Sequence, residues 1–231
     1  ASRGLGLEFA RQYAAEGWRV YACARRPQAS APLAELVAGS QGRVTAHALD
    51  VADHAAIDAL AGSLAGVAID VLLNNAGTMG ARSGVQSGPD AQRFGQTDYA
   101  DWEWMFRVHV LGPMKMAEAF VEHVAASAQK KIVTVTSIIG SIGANSFGGM
   151  YAYRSTKAGA NAIMKSMALD LARRGIVAAP VHPGWAKTDL GGANAPVEPR
   201  DSVAGLRQVI AGLDRTKAGR FWQWDGAELA W

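Results

Sequence analysis

Tyr153 and Lys157, in the run YAYRSTK, have the types and the spacing for proton chemistry. In a helix, residues four apart share one face. Tyr151, by contrast, lies about 240° from Lys157 at roughly 100° per residue, so Tyr153 is the partner. A phenol with its ordinary pKa of about 10 exchanges protons poorly near neutrality. A nearby ammonium stabilises the phenolate, so Lys157 is expected to lower the Tyr153 pKa and tune it for general acid work. Ser137 closes the run KKIVTVTS, where its hydroxyl could hold a substrate oxygen as charge develops on it. A Tyr and a Lys four apart also occur on many ordinary helix surfaces. The combination with Ser137 and with NNAG at 74–77 separates this pair from them.

Those residues need elements to carry them. RVYACA (19–24), RVTAHALDV (43–51), IDVLLNNAG (69–77), KKIVTVTS (130–137), IVAAPVHP (176–183) and GRFWQWDG (219–226) read as strands. The unbroken apolar runs among them belong to strands covered on both faces, as in parallel sheets. Helical patterns alternate with them. Leu7, Ala10 and Ala14 share one face before Gly17, and a short helix covers 31–38. Ile57, Leu60 and Leu64 follow an N-cap at Asp53, a helix at 99–126 is kinked near Gly112-Pro113, and further helices cover 151–174 and 202–213. The stretches 78–98 and 185–199 read as loops. This alternation predicts a doubly wound α/β fold with its ligand crevice at the carboxyl ends of the strands. Arg25, Asp50, Asn74 to Gly77, Ser137 and Pro183-Gly184 all fall at those ends.

The turn ASRGLG runs straight into the first helix. Backbone N–H groups there would face a pyrophosphate, favoured by the helix dipole. A site preferring NAD usually carries an acidic residue after its second strand, whereas this chain offers Arg25 and Arg26, with Arg3 able to add a third charge. Guanidinium groups suit a 2′-phosphate, so the expected cofactor is NADP. At 49% hydrophobic and 19% charged residues the composition is globular, and a net charge of +3 with scattered Lys and Arg gives no footprint for nucleic acid or an anionic membrane. No apolar run approaches the ~20 residues of a membrane span. The single cysteine, Cys23, excludes an internal disulfide and suits a reducing cytoplasm as a buried thiol. The five histidines are scattered without ligand spacing, so no metal is expected.

Taken together, ASRGLG, Asp50-Val51, NNAG, Ser137, Tyr153 with Lys157, and HPGWAKTDLGG at 182–192 resemble the short-chain dehydrogenases/reductases along essentially the whole chain. SFGGMYAYRSTKAG and the ending GRFWQWDGAELAW are similar to the carbonyl reductase branch typified by the C-factor and Sniffer proteins. The resemblance implies one Rossmann-type dinucleotide-binding domain over 1–231, a three-layer, doubly wound parallel sheet. The family's glycine turn follows a first strand, and the expectation is that this chain starts just inside that motif and lacks the strand. Without it two sheet edges would be exposed, and these 231 residues alone are expected to fold poorly. By matching positions, the resemblance places Ser2, Arg3 and Leu5 at the phosphates, Asp50 and Val51 at the adenine, and Asn75, Ala76 and Gly77 along the adenosine. It places Pro183, Gly184, Ala186 and Thr188 at the nicotinamide, and has Lys157 reach the cofactor ribose beside Tyr153. In FRVHVLGP the family usually has Asn where this chain has His109. That Asn helps hold a water connecting the lysine to solvent, so His109 is either tolerated, a proton relay near neutral pH, or a break in the relay. His182 is expected to be structural.

Met79, Phe147, Met150 and Trp185 lie in loops beside the catalytic residues, where they serve either as the wall of an apolar carbonyl site or as packing. The expected reaction is hydride transfer between NADPH and an aldehyde or ketone, or the reverse from its alcohol, with Tyr153 as the acid. The alternative is a signalling protein that binds the dinucleotide with little turnover. The helices at 99–126 and 151–174 are the faces through which this family commonly forms homodimers or homotetramers, although members of this branch can be monomers.

Overall fold

The structure is a computed structural model and describes residues 1–80 and 92–231. Seven strands and seven α-helices alternate along it. The strands are β1 (Val20–Ala24), β2 (Val44–Ala48), β3 (Val71–Asn74), β4 (Lys131–Val135), β5 (Val177–His182), β6 (Phe221–Gln223) and β7 (Glu228–Leu229). The helices are α1 (Gly4–Ala15), α2 (Ala31–Gly39), α3 (His54–Ser63), α4 (Tyr99–Phe106), α5 (Gly112–Ala125), α6 (Tyr151–Asp170) and α7 (Pro199–Ala211). Asp53 caps α3 as its position predicts, accepting from the Ala56 N–H at 3.0 Å.

Every residue of β4 and β5 is buried, the signature of strands covered on both faces. Successive side chains point to opposite layers. Ile132 and Ala178 pack with Ile57 of α3, Phe120 of α5 and Met164 of α6, while Val133, Ala179 and Val181 pack with Phe9 of α1 and Leu206 of α7. Phe120 is 2% exposed, and cutting it to Ala would cost about 3–5 kcal/mol.

The parallel sheet comes in two pieces. β1 pairs with β2, from Val20 opposite Val44 to Ala24 opposite Ala48. The second piece runs β3-β4-β5-β6 in parallel and ends on the antiparallel β7. β1 and β3 both line, along their whole length, one cavity of about 990 Å³ that lies between the pieces. The Glu228–Leu229 strand was not foreseen, because two residues carry no periodicity.

The expected kink at Gly112-Pro113 is a π-turn one turn earlier, over Arg107–Leu111, with the Gly112 N–H reaching back to the Arg107 carbonyl. Pro113 has no N–H to offer the His109 carbonyl four residues before it, so the chain widens there rather than bending at the proline.

Candidate active site

Ser137 follows β4 in extended geometry and caps a short 3₁₀ turn, Ile138–Gly140, its hydroxyl accepting from the Ile139 N–H at 3.2 Å. Gly140 lets this turn lie against α6, since a Cβ there would come within 2.7 Å of the Lys157 carbonyl carbon. Gly148, Gly149 and Met150 all take positive φ, turning the chain sharply into α6. Its first two turns then present Tyr153 and Lys157 inward, while Tyr151 stays 41% exposed. Ser137 and Tyr153 are each 7% exposed and Lys157 is 5% exposed, so the trio is nearly dry.

Ser137 lies close enough to draw the Tyr153 pKa down, yet burial outweighs it and pushes the phenol up to about 12. Burial also brings Lys157 down to about 8. This corrects the expectation that the lysine acidifies the phenol. The Lys157 amine donates to the Val135 carbonyl at 3.1 Å and sits 5.6 Å from the centre of the Tyr153 ring. Loss of solvent outweighs the attraction of a cation that is itself desolvated and directed at a carbonyl.

His109 lies in the π-turn, 2% exposed, its ring edge-on to Tyr153 at 5.7 Å between centroids. Its Nε2 accepts from the Thr78 N–H at 2.9 Å. Its Nδ1 lies 2.9 Å from Thr156 Oγ1, which donates its own hydrogen to the Tyr153 carbonyl at 2.9 Å. Thr156 must therefore accept from an Nδ1–H, and the imidazole is neutral in one tautomer with both nitrogens engaged. Burial, reinforced by Lys157, holds its pKa well below the ordinary value. Of the three roles open to His109 on sequence grounds, a proton relay near neutral pH is the one this geometry disfavours.

The cavity extends from Tyr153 and Lys157 toward α1 and the ends of β1 and β2. Ser2, Arg3, Leu5 and Arg25 line it, as do Asp50 and Val51. Asn75, Ala76, Gly77, Pro183 and Thr188 line the stretch between these and the catalytic pair. Arg26, Ser137, Gly184 and Ala186 are not among the residues that line it. At the start of α1 no side chain caps the helix, and Arg3, Gly4, Leu5 and Gly6 line the cavity. Gly4 takes positive φ, and a Cβ on Gly6 would stand 2.7 Å from Asn75 Nδ2. Arg3 pairs with Asp189 at 2.9 Å on the surface, and Asp50 accepts from the Ala52 N–H at 3.0 Å.

The four apolar residues expected near the substrate divide. Met79 is 9% exposed and packs with Met105, Ala152 and Tyr153, with Met150 against the same cluster. Phe147 and Trp185 are 68% and 57% exposed, Phe147 lying under the Arg154 guanidinium at 4.4 Å. None of the four lines the cavity. His182 is buried with its pKa down to about 4 from desolvation, and burial takes the Cys23 thiol up to about 11. Among the described residues no cluster of His, Cys, Asp and Glu could hold a metal ion, and no helix is long and apolar enough to cross a membrane. Sequence reasoning missed Thr78, Gln92, Thr156 and Gly140. Only Gly140, in a glycine turn after the strand-end Ser, carried any local signal.

The model of the short chain dehydrogenase family matches residues 1–198. The chain belongs to the short-chain dehydrogenase family. It is 39% identical over 163 residues to the protein "C-signal" of Myxococcus xanthus, covering 71% of this chain and 93% of that protein. Among solved structures, a protein from Burkholderia multivorans with bound NADP superposes with a TM-score of 0.89 at 30% identity, covering 100% of this chain and 96% of that one. The carbonyl reductase Sniffer of Drosophila melanogaster gives a TM-score of 0.83 at 28% identity, with the same coverage. The chain thus has the Rossmann-type α/β fold of an oxidoreductase family.

Proposed function

We propose that this protein is an NADPH-dependent reductase of apolar aldehydes and ketones. The observation that carries the reading is Tyr153, buried beside Ser137 with Lys157 one helical turn on, at the head of a cavity whose far end is lined by the uncapped start of α1 and by Arg25. The residues around one end of the cavity fit a dinucleotide: Ser2 to Gly6 at the start of α1, Asp50 and Val51 after β2 and Asn75 to Gly77 after β3 line it together with Tyr153 and Lys157, while the remainder runs along β1 and β3. Ser2, Arg3 and Leu5 would hold the phosphates, Arg25 a 2′-phosphate, and Asp50 and Val51 the adenine. Asn75, Ala76 and Gly77 would follow the adenosine. Pro183 and Thr188, with Gly184 and Ala186, would hold the nicotinamide. NADP is the cofactor bound by the Burkholderia multivorans neighbour.

When bound, the dinucleotide supplies the hydride. The Ser137 hydroxyl orients the substrate carbonyl oxygen and stabilises the charge that forms there. The Tyr153 hydroxyl donates its proton to that oxygen. With burial pushing its pKa up to about 12, the phenol holds its proton throughout the neutral range and is in the donor form that reduction needs. Lys157, at about 8, is the nearby cation that can make good the proton Tyr153 gives up. Met79, packed against Tyr153 with Met105 and Ala152, supports an apolar substrate. The test is NADPH oxidation by the purified protein with a panel of aromatic and aliphatic carbonyls, which Tyr153→Phe should abolish. Similarity to "C-signal" favours one second reading, a signalling protein that binds the dinucleotide with little turnover. Tight NADPH binding with no oxidation across the panel would support it.

A further inference from the structure

We infer that Gln92 and His109 are positioning residues that together brace both peptide groups of Tyr153 against the loop that follows β3. Tyr153 is the third residue of α6, so its N–H has no carbonyl partner within the helix, whose first backbone bond is Arg154 N–H to the Met150 carbonyl at 2.8 Å. Met150 takes left-handed geometry and provides no side-chain cap. Gln92, 61 residues away in sequence, fills that role: its Oε1 accepts the Tyr153 N–H at 2.7 Å. The same amide turns its Nε2 to the Met79 carbonyl at 2.9 Å. Gln92 is 4% exposed, so neither bond has water as a ready substitute.

The second arm runs on the carbonyl side. The Tyr153 carbonyl accepts from Thr156 Oγ1, which accepts from His109 Nδ1, while His109 Nε2 takes the Thr78 N–H, each step at 2.9 Å. Thr78 and Met79 are adjacent, and each anchors one arm. Two side chains from separate elements thus fix the Tyr153 backbone to a single point just past NNAG, where β3 meets the cavity. A phenol held this way keeps its height above the strand ends when substrate enters. Each arm uses all its polar atoms along the line of the brace. This gives His109 a task that needs a ring with a donor on one side and an acceptor on the other, and no change of protonation.

The inference rests on the reading of Tyr153 as proton donor, and two independent readouts separate its failure from the failure of that reading. The first is turnover by the full chain carrying Gln92→Leu, Gln92→Glu or His109→Gln. Gln92→Leu removes one arm and should lower kcat about 10- to 100-fold, with the NADPH Kd and carbonyl KM changed less than about threefold, because it displaces the proton donor and leaves the binding surfaces intact. Gln92→Glu keeps the acceptor for Tyr153 but has no hydrogen for Met79, and His109→Gln keeps the reach to Thr78 but loses Thr156. Both should fall between wild type and Gln92→Leu. The second is hydrogen exchange at the Tyr153 and Thr78 amides, which needs no turnover. Both should be protected in the wild type, with Tyr153 exchanging at least about tenfold faster in Gln92→Leu and Thr78 in His109→Phe. Unchanged kcat in Gln92→Leu, or exchange rates at both amides that do not respond, would overturn the brace. Should the wild type reduce no carbonyl, the exchange rates alone decide it.

Discussion

At the Tyr153 end of the crevice Ser137, Tyr153, Lys157 and His109 are each 7% exposed or less, and the polar atoms of Ser137, Lys157 and His109 bond to protein groups at about 3 Å. At the α1 end, where we propose the phosphates lie, the Arg3–Asp189 pair is 66% exposed on both sides, Arg25 stands in solvent, and α1 has no side-chain cap. The two ends thus differ in how each meets its ligand. The dry end has its geometry and its shifted pKa values before anything binds, so changes there should act on chemistry. The wet end offers charge and open donors, so changes there should act on affinity, and gradually, because exposed charge pairs are screened.

The largest predicted effect is at the dry end. Tyr153→Phe should lower kcat by about 10²- to 10⁴-fold while NADPH binding stays within about threefold. A comparable loss of binding would break the contrast. At the wet end Arg25→Glu should weaken NADPH about tenfold or more and leave NADH little changed, with kcat at saturation within about twofold, measured by fluorescence titration and initial rates. Next is the pH dependence. Lys157 is charged below its pKa of about 8, so kcat/KM for reduction should fall as pH rises through 8, with no limb from His109 near 6.5.

The same shift has a sign for stability. The folded-state pKa of Lys157 lies below its ordinary 10.5, so between about pH 8 and 10 the unfolded chain binds more protons and stability should rise with pH. Tyr153 acts oppositely only above its ordinary value of 10, since its folded pKa is raised. Denaturant midpoints at pH 7, 8.5 and 9.5 would check this. The smallest effect is expected for Arg3→Ala, which removes an exposed pair worth under about 1 kcal/mol and should shift NADPH affinity only a few-fold.

Much of this site was legible in the sequence because its parts obey local rules. Apolar runs alternating with helical patterns fixed the layers, four-residue spacing selected Tyr153 over Tyr151, and strand ends gathered Arg25, Asp50, Asn75, Ser137 and Pro183. What escaped notice depends on long-range packing. Gln92 sits in a loop with no pattern, and only the folded chain brings it to an N–H 61 residues away. The effect of Lys157 on Tyr153 was misjudged because spacing reports proximity and says nothing of desolvation, which here outweighs the charge. The sheet's division between β1 and β3, by contrast, leaves the two edges anticipated from the sequence.

The central claim is that a buried Ser137–Tyr153–Lys157 trio completes carbonyl reduction with the Tyr153 proton. Its most direct measurement is NADPH oxidation at pH 7 by wild type and Tyr153→Phe across aromatic and aliphatic carbonyls, with the dinucleotide Kd of each taken in parallel. The account predicts turnover in the wild type and its loss in the variant at nearly equal Kd. Turnover that survives in Tyr153→Phe would contradict it, as would a wild type that binds NADPH tightly and reduces none of the carbonyls.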